Sequence, residues 1–349
     1  MATTAAAPPA RDERVASSSL LDRIVQRPEL GSVLGAILIF AFFSLVTGQF
    51  FSVAGAANWL DYASSIGIMS VAVALLMIGG EFDLSAGVMT ASAALVTAIL
   101  STKAGFNVWI ALVVSLAFAL AIGFFNGWLV MRTGLPSFIV TLGTFLSLQG
   151  INLGVTRLVT GTVQVSGISD APGYTGAGKV FASTIKIAGQ NFQVSIVWFI
   201  LVTIVASFLL QRMRFGNWIF AVGGSATNSR SVGVPVRRTK ILLFMGTATA
   251  AWLVGNMQIL RYTSVQANQG IGNEFLYIIG AVIGGCLLTG GYGSAVGAAV
   301  GALIFGMANQ GIVYAQWNSD WFMLFLGVLL LLAVLVNKAF AARAERSRR

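Results

Sequence analysis

Residues 107–131 read NVWIALVVSLAFALAIGFFNGWLVM, with Arg132 directly after them. No charged side chain interrupts that run. About 20 apolar residues, rising 1.5 Å each, are what a helix needs to cross a hydrocarbon layer about 30 Å thick. Within such a layer only helices and closed barrels satisfy every backbone N–H and C=O. A barrel strand would show about ten residues alternating apolar and polar. This run does not alternate, so it reads as a membrane-spanning helix.

Comparable runs extend outward in both directions. Spans are expected at 31–51, 60–79, 84–101, 107–131, 137–156, 193–211, 240–260, 275–290, 294–314 and 321–338. The composition agrees: 57% hydrophobic, 9% charged and mean hydropathy +0.86, where a soluble domain carries about 25% charged residues. The 40 glycines suit closely packed membrane helices. The chain therefore reads as an all-α integral membrane protein of about ten transmembrane helices. Residues 1–29 form a polar N-terminal segment, 30–338 the membrane domain and 339–349 a basic tail. Asn58 and Asp61 interrupt 52–66, which reads as a short interfacial helix leading into the second span. A cleavable leader ending near Ala54-Gly55-Ala56 is the competing view of the N-terminus. The apolar run from Leu30 to Phe51 exceeds the about 7–15 residues of a signal core.

Charge sets the orientation. With the N-terminus inside, four Lys and Arg precede the first span, Arg132 follows the fourth, six lie in 212–240 and five lie from Lys338 onward. The other side holds Lys103, Arg157, Lys179, Lys186 and Arg261, so the division is sixteen against five. The positive-inside rule then puts both termini and 212–240 in the cytoplasm, and 158–192 becomes an outer loop. The net charge of +10 is thereby read as orientation and not as nucleic-acid binding. Trp59, Trp109, Trp317 and Trp321 fall at outer ends and Trp128 and Trp218 at inner ends, as interfacial belts do.

Gly79-Gly80 before Ser85-Ala86-Gly87 echoes Gly290-Gly291 before Ser294-Ala295-Val296-Gly297. Internal duplication is common in transporters, with convergent small-residue composition as the alternative. The offset is six spans, whereas an inverted repeat needs an odd one.

Several chemistries are excluded. Histidine is absent and Cys286 is the single cysteine, so disulfide frameworks, the usual zinc sites and a Ser-His-Asp triad have no ligands; neither a catalytic nor a metal set is expected. Gly173 to Val180 nearly spells a phosphate-binding loop, but Val180 stands where a magnesium-binding hydroxyl is required and no strand precedes it. It reads as a glycine-rich outer loop. Asp61, Glu81, Asp83, Glu274 and Asp320 all fall near span ends, so the mid-span acids of a gradient-driven carrier are missing. The energy for transport is then expected from a separate ATPase. An integral-membrane enzyme, the rival class, would need a convergent set of acids and bases that the spans do not offer.

The 212–240 segment has six bases and no acid. Ser225 can cap a two-turn helix that Gly233 stops and Pro235 keeps from continuing. Such a helix fits a partner's groove; a solvated basic loop that only sets topology is the plainer reading. Here the chain resembles a known family. Gly79-Gly80-Glu81-Phe82-Asp83-Leu84-Ser85-Ala86-Gly87 is similar to the G-G-I-D-L-S-x-G signature of ribose-type permeases of bacterial ABC importers, in the branched-chain amino acid/ribose permease superfamily. Leu135 to Thr144 resembles the family's P-x-F-I-x-T-L-G-T. Ala221 to Lys240 resembles its A-x-G-G … R-x-x-G-I-x-V … K segment, and Gly284 to Ser294 its late glycine-rich stretch. The matches cover about residues 50–338.

The resemblance implies a bacterial inner-membrane permease importing a monosaccharide or similar small polar solute. It implies pairing with a second permease copy or a sister permease, cytoplasmic ATPase subunits that bind the ATP and magnesium, and a periplasmic or lipid-anchored solute-binding protein. The chain itself would carry no cofactor. Gly223, Gly224, Ser225, Asn228, Arg230 and Gly233 would form the coupling helix. A branched-chain amino acid or nucleoside remains an alternative solute, and a gradient-driven carrier an alternative mechanism. Glu81-Phe82 departs from the signature and adds a charge beside Asp83. Asp83 can cap the third span or act in gating. The polar in-span residues Asn126, Thr141, Thr144, Gln149, Asn256, Gln258 and Asn309, with Asp83, are the pathway candidates; helix-to-helix hydrogen bonding is the alternative for each.

Overall fold

Each expected span contains an apolar helix in a computed structural model, which describes residues 29–346, with side chains from 29 to 335. Most of the expected N-terminal segment lies outside the described residues, as do the last three residues of the tail and the tail's side chains. In chain order the helices are α1 (Glu29–Val46), α2 (Val53–Ile78), α3 (Ala86–Thr102), α4 (Val108–Thr133), α5 (Ser137–Thr160), α6 (Tyr174–Phe181), α7 (Ser195–Arg212), α8 (Arg214–Gly224), α9 (Ala226–Ser231), α10 (Val236–Tyr262), α11 (Asn273–Ile283), α12 (Ala295–Tyr314) and α13 (Trp321–Arg346). Seven of them, α1, α2, α4, α5, α7, α10 and α12, are long and apolar enough to cross a bilayer. α3, α11 and the Trp321–Leu335 part of α13 are apolar but shorter.

Small residues set the core. α2 runs beside α12, and α10 lies against α3 and α4. A methyl added at Gly123 or Gly127 of α4 would stand 2.8 or 2.7 Å from the Cα of Met245 or Ile241 on α10. Backbones approach this closely only where side chains are absent, and membrane helices gain their contact energy that way. α1, α4, α5 and α7 leave long apolar rows exposed, including Leu45, Val113, Leu158 and Phe208, as lipid-facing helices do.

The two ends of the bundle differ. At one end four short strands lie outside the helices: β1 (Gln164–Ser166) pairs antiparallel with β4 (Ser264–Gln266), and β2 (Thr184–Ile187) with β3 (Gln190–Gln193). At the other end the 79–85 loop, α8, α9 and the 284–294 loop meet.

Several expectations need correction. The interfacial helix expected over 52–66 is instead the start of α2, one continuous helix of 26 residues. Its interrupting polar groups are partnered: Asn58 donates to the Tyr314 hydroxyl at 2.6 Å, and Asp61 receives Arg261 at 2.9 Å. The glycine-rich outer loop at 173–180 is mostly α6, whose Phe181 stacks on Trp198 at 5.7 Å. Much of 158–192 has regular structure, because α5 runs on to Thr160 and β1, α6 and β2 follow. Most of 212–240 is also helical, since α8 lays Gly216, Ile219 and Val222 inward. The expected span 275–290 is helical only to Ile283.

The echo of Gly79-Gly80 is Gly284-Gly285 and not Gly290-Gly291. Ile78-Gly79-Gly80 and Ile283-Gly284-Gly285 end their helices with the same turn: the first glycine is right-handed, while Gly80 and Gly285 take φ +80° and +94°. Glu81 N–H closes back on Leu76 and Cys286 N–H on Ala281, both at 3.1 Å. A left-handed residue closing a helix in this way is what glycine permits without steric cost. The next helix is introduced by Ser85 in one case and Ser294 in the other. Both turns lie at the same end of the bundle, so the two segments run parallel.

Candidate functional site

The 79–85 loop is where most of the sequence candidates meet. A chain that leaves α2 and enters α3 within seven residues must partner its backbone without regular structure. Side chains of α5 do this: Ser137 Oγ accepts from Phe82 N–H at 3.0 Å and Thr141 Oγ1 from Leu84 N–H at 3.1 Å. Asp83 Oδ1 accepts from both the N–H and the hydroxyl of Ser85, at 2.8 and 2.5 Å. This places its carboxylate at the start of α3, where the helix dipole favours it. Burial raises the Asp83 carboxyl to about 6, and the two Ser85 hydrogen bonds oppose that rise. Asn126 of α4 donates to Ser85 Oγ at 3.1 Å and accepts from Thr144 of α5 at 2.6 Å. Asp83, Asn126, Thr141 and Thr144 thus form one buried hydrogen-bonded set around the loop.

The remaining pathway candidates lie apart from it. Asn256 accepts from Thr97 at 2.6 Å and donates to the Trp252 carbonyl, in a knot that ties α3, α4 and α10 through Ser115. Gln258 accepts from Gln269 at 2.8 Å near the sheet end. Beside it, Ser195, Gln258 and Arg261 line a cavity of about 30 Å³, room for about one water. Asn309 accepts from its neighbour Gln310. Gln149 is half-buried on α5.

The coupling candidates sit on a glycine seam against the same loop. Gly223 closes α8 with its backbone against Ile78. A Cβ there would collide with the Ile78 carbonyl and stand 2.6 Å from the Gly291 nitrogen. Gly291 N–H donates to Ile78 O at 2.8 Å, so α8, the end of α2 and the 284–294 loop touch backbone to backbone. Beyond the seam Ser225 is extended, and its hydroxyl accepts from Asn228 N–H at 3.3 Å, capping α9. α9 buries Ser229 alone and leaves Asn228 and Arg230 exposed, with Val232 79% exposed beyond them. Gly233 then takes φ +82°, reversing the chain into Pro235 and α10.

One contact was not legible in the sequence. Lys240 on the second turn of α10 forms a buried ion pair with Glu81 of the loop. The two residues are 159 positions apart, and no periodicity links them. A second charge entering the signature beside Asp83 was the available signal.

Comparison with known proteins places the chain in a family. The family model described as "Branched-chain amino acid transport system / permease component" matches residues 55–334. The ribose import permease protein RbsC of Escherichia coli strain K12 is 30% identical over 312 residues, covering 88% of this chain and 93% of the relative. The xylose transport system permease protein XylH of the same strain is 29% identical, covering 88% and 91%. XylH of Haemophilus influenzae is 26% identical, covering 86% and 93%. No solved structure matches the chain. On the family match across most of its length, this chain belongs to the permease components of the branched-chain amino acid transport system type.

Proposed function

We propose that the chain is the membrane-embedded permease subunit of a bacterial ABC importer for a monosaccharide, seated in the inner membrane. Relatives named for ribose and xylose support the solute class. The solute passes inward through a pore that this chain forms with a second copy or a sister permease. Separate ATPase subunits bind ATP and magnesium, and a solute-binding protein delivers the cargo from the opposite side. The sixteen-to-five division of Lys and Arg supports placing both termini, α8 and α9 in the cytoplasm.

The observation that carries this reading is α9. It is a short exposed helix, capped by Ser225, whose base is fixed by Gly223 to the ends of α2 and the 284–294 loop. A partner that grips Asn228, Arg230 and Val232 acts on those loops directly. Closure of the ATPases is then delivered to the 79–85 loop and its set of Asp83, Asn126, Thr141 and Thr144.

Reconstitution in liposomes tests the reading. Permease, ATPases and binding protein together are expected to accumulate labelled ribose or xylose on ATP addition, and the permease alone to move none. Solute movement by the permease alone, driven by an ion gradient, would replace the importer by a carrier.

A further inference from the structure

Two ion pairs occur among the described residues, and they differ in depth. Asp61–Arg261 at the sheet end has side chains 22% and 31% exposed; Glu81–Lys240 is at 9% and 12%. Withdrawing a carboxylate and an ammonium from water is costly, and the cost is offset only when the two stay together. The deeper pair therefore resists separation more strongly than the exposed one.

Its location gives that resistance a consequence. Lys240 follows α9 by nine residues and belongs to the helix that leaves the Gly233–Pro235 reversal. Glu81 belongs to the loop whose neighbouring N–H groups are held by Ser137 and Thr141 of α5. The seam at Gly223 joins the two segments on one side of α9, and the ion pair joins them on the other. Backbone contact through glycines limits approach but carries little resistance to parting. Leu243 of α10 packs on Gly79 at the start of the loop, and the ion pair adds to the resistance to parting.

We propose that Glu81 and Lys240 are positioning residues for transport: their pair makes the α9–α10 segment and the 79–85 loop move as one body, so that a pull on α9 reaches α5. This rests on the coupling reading of α9. The ion pair works in the return direction, when α9 is drawn away from the membrane, where the glycine seam offers little resistance.

The test uses the complete importer in liposomes, measuring ribose or xylose uptake together with ATP hydrolysis. The variant is Glu81→Met combined with Lys240→Met, which removes both charges and leaves neither one stranded. It is expected to assemble and to hydrolyse ATP near the wild-type rate, with solute moved per ATP lowered by at least about tenfold. Lys240→Arg keeps the charge and is expected to stay within about threefold of wild type. A Met/Met variant that transports with the wild-type ratio overturns the proposal. So does Lys240→Arg losing uptake as fully as Met/Met, since charge pairing would then not be the cause. Failure of the double variant to assemble leaves the decision to Lys240→Arg. Arg230→Glu, assayed in parallel, separates this idea from its basis: undiminished uptake by Arg230→Glu removes the coupling reading itself. Loss there with normal Met/Met transport removes only the ion-pair role.

Discussion

α6 and α9 are both short helices outside the spans, the first entered through Gly173 and the second through Gly223-Gly224-Ser225, yet they are fastened in opposite ways. α6 buries Ala177 and Phe181, and Phe181 packs between Trp198 and Trp252 while Tyr174 donates to the Leu260 carbonyl. α9 buries only Ser229, and its attachment is the backbone seam at Gly223. α6 is held by side chains into the body of the protein. α9 is held at its base and presents its tip outward. A helix built to receive force from a partner needs the second arrangement, because a buried side-chain anchor would leave nothing to grip.

The seam is the most direct place to break that contrast. Gly223→Val places branched carbons against the Ile78 carbonyl, and overpacking of this kind costs about 1–3 kcal/mol. Uptake is expected to vanish and the thermal unfolding midpoint of the purified permease to fall. Next in size, Arg230→Glu and Gly233→Pro should lower uptake at least about tenfold, equivalent to about 1.4 kcal/mol or more of lost coupling. Insertion into the membrane should be unchanged. The second substitution acts because proline fixes φ near about −65°, whereas Gly233 holds +82°. Full uptake by either variant would count against α9 as the coupling helix.

Phe181→Ala sharpens the comparison from the other side. Removal of a buried phenylalanine costs about 3–5 kcal/mol, so thermal stability should drop clearly. Uptake per assembled transporter should change by less than about threefold, under about 0.7 kcal/mol; a loss as deep as that of Arg230→Glu would make α6 part of the coupling apparatus. The smallest effect is expected at Gly224, where an added Cβ meets nothing within 4 Å. Gly224→Ala should leave uptake unchanged and favour α8 by up to about 1 kcal/mol, readable as an unchanged or raised unfolding midpoint.

Much of this was legible in the sequence. Composition and run length gave the helical membrane class, and the Ser225–Gly233 bracket gave α9, because capping and stopping are local events. The errors share one cause. Asn58 and Asp61 look like interruptions when read along the chain, and they stop being so once Tyr314 and Arg261 lie beside them. The glycines at 173–178 suggest a loop, but Phe181 finds three tryptophans and α6 forms. Among the pathway candidates, Asn126, Thr141 and Thr144 were selected one at a time for being polar in lipid, and Asp83 for its place in the resembling signature at the start of the third span. That they converge on a single loop depends on how α3, α4 and α5 lie together.

The sequence by itself determined the solvent of this protein and the position of its short exposed helix, since each follows from hydropathy or local backbone preference. Tertiary structure alone decided which glycines are seams, which turns are counterparts and that Glu81 meets Lys240. Those are contacts between segments far apart in the chain. They exist because closely packed helices bring backbones within van der Waals distance, and because a buried charge must find its opposite wherever the fold has placed it.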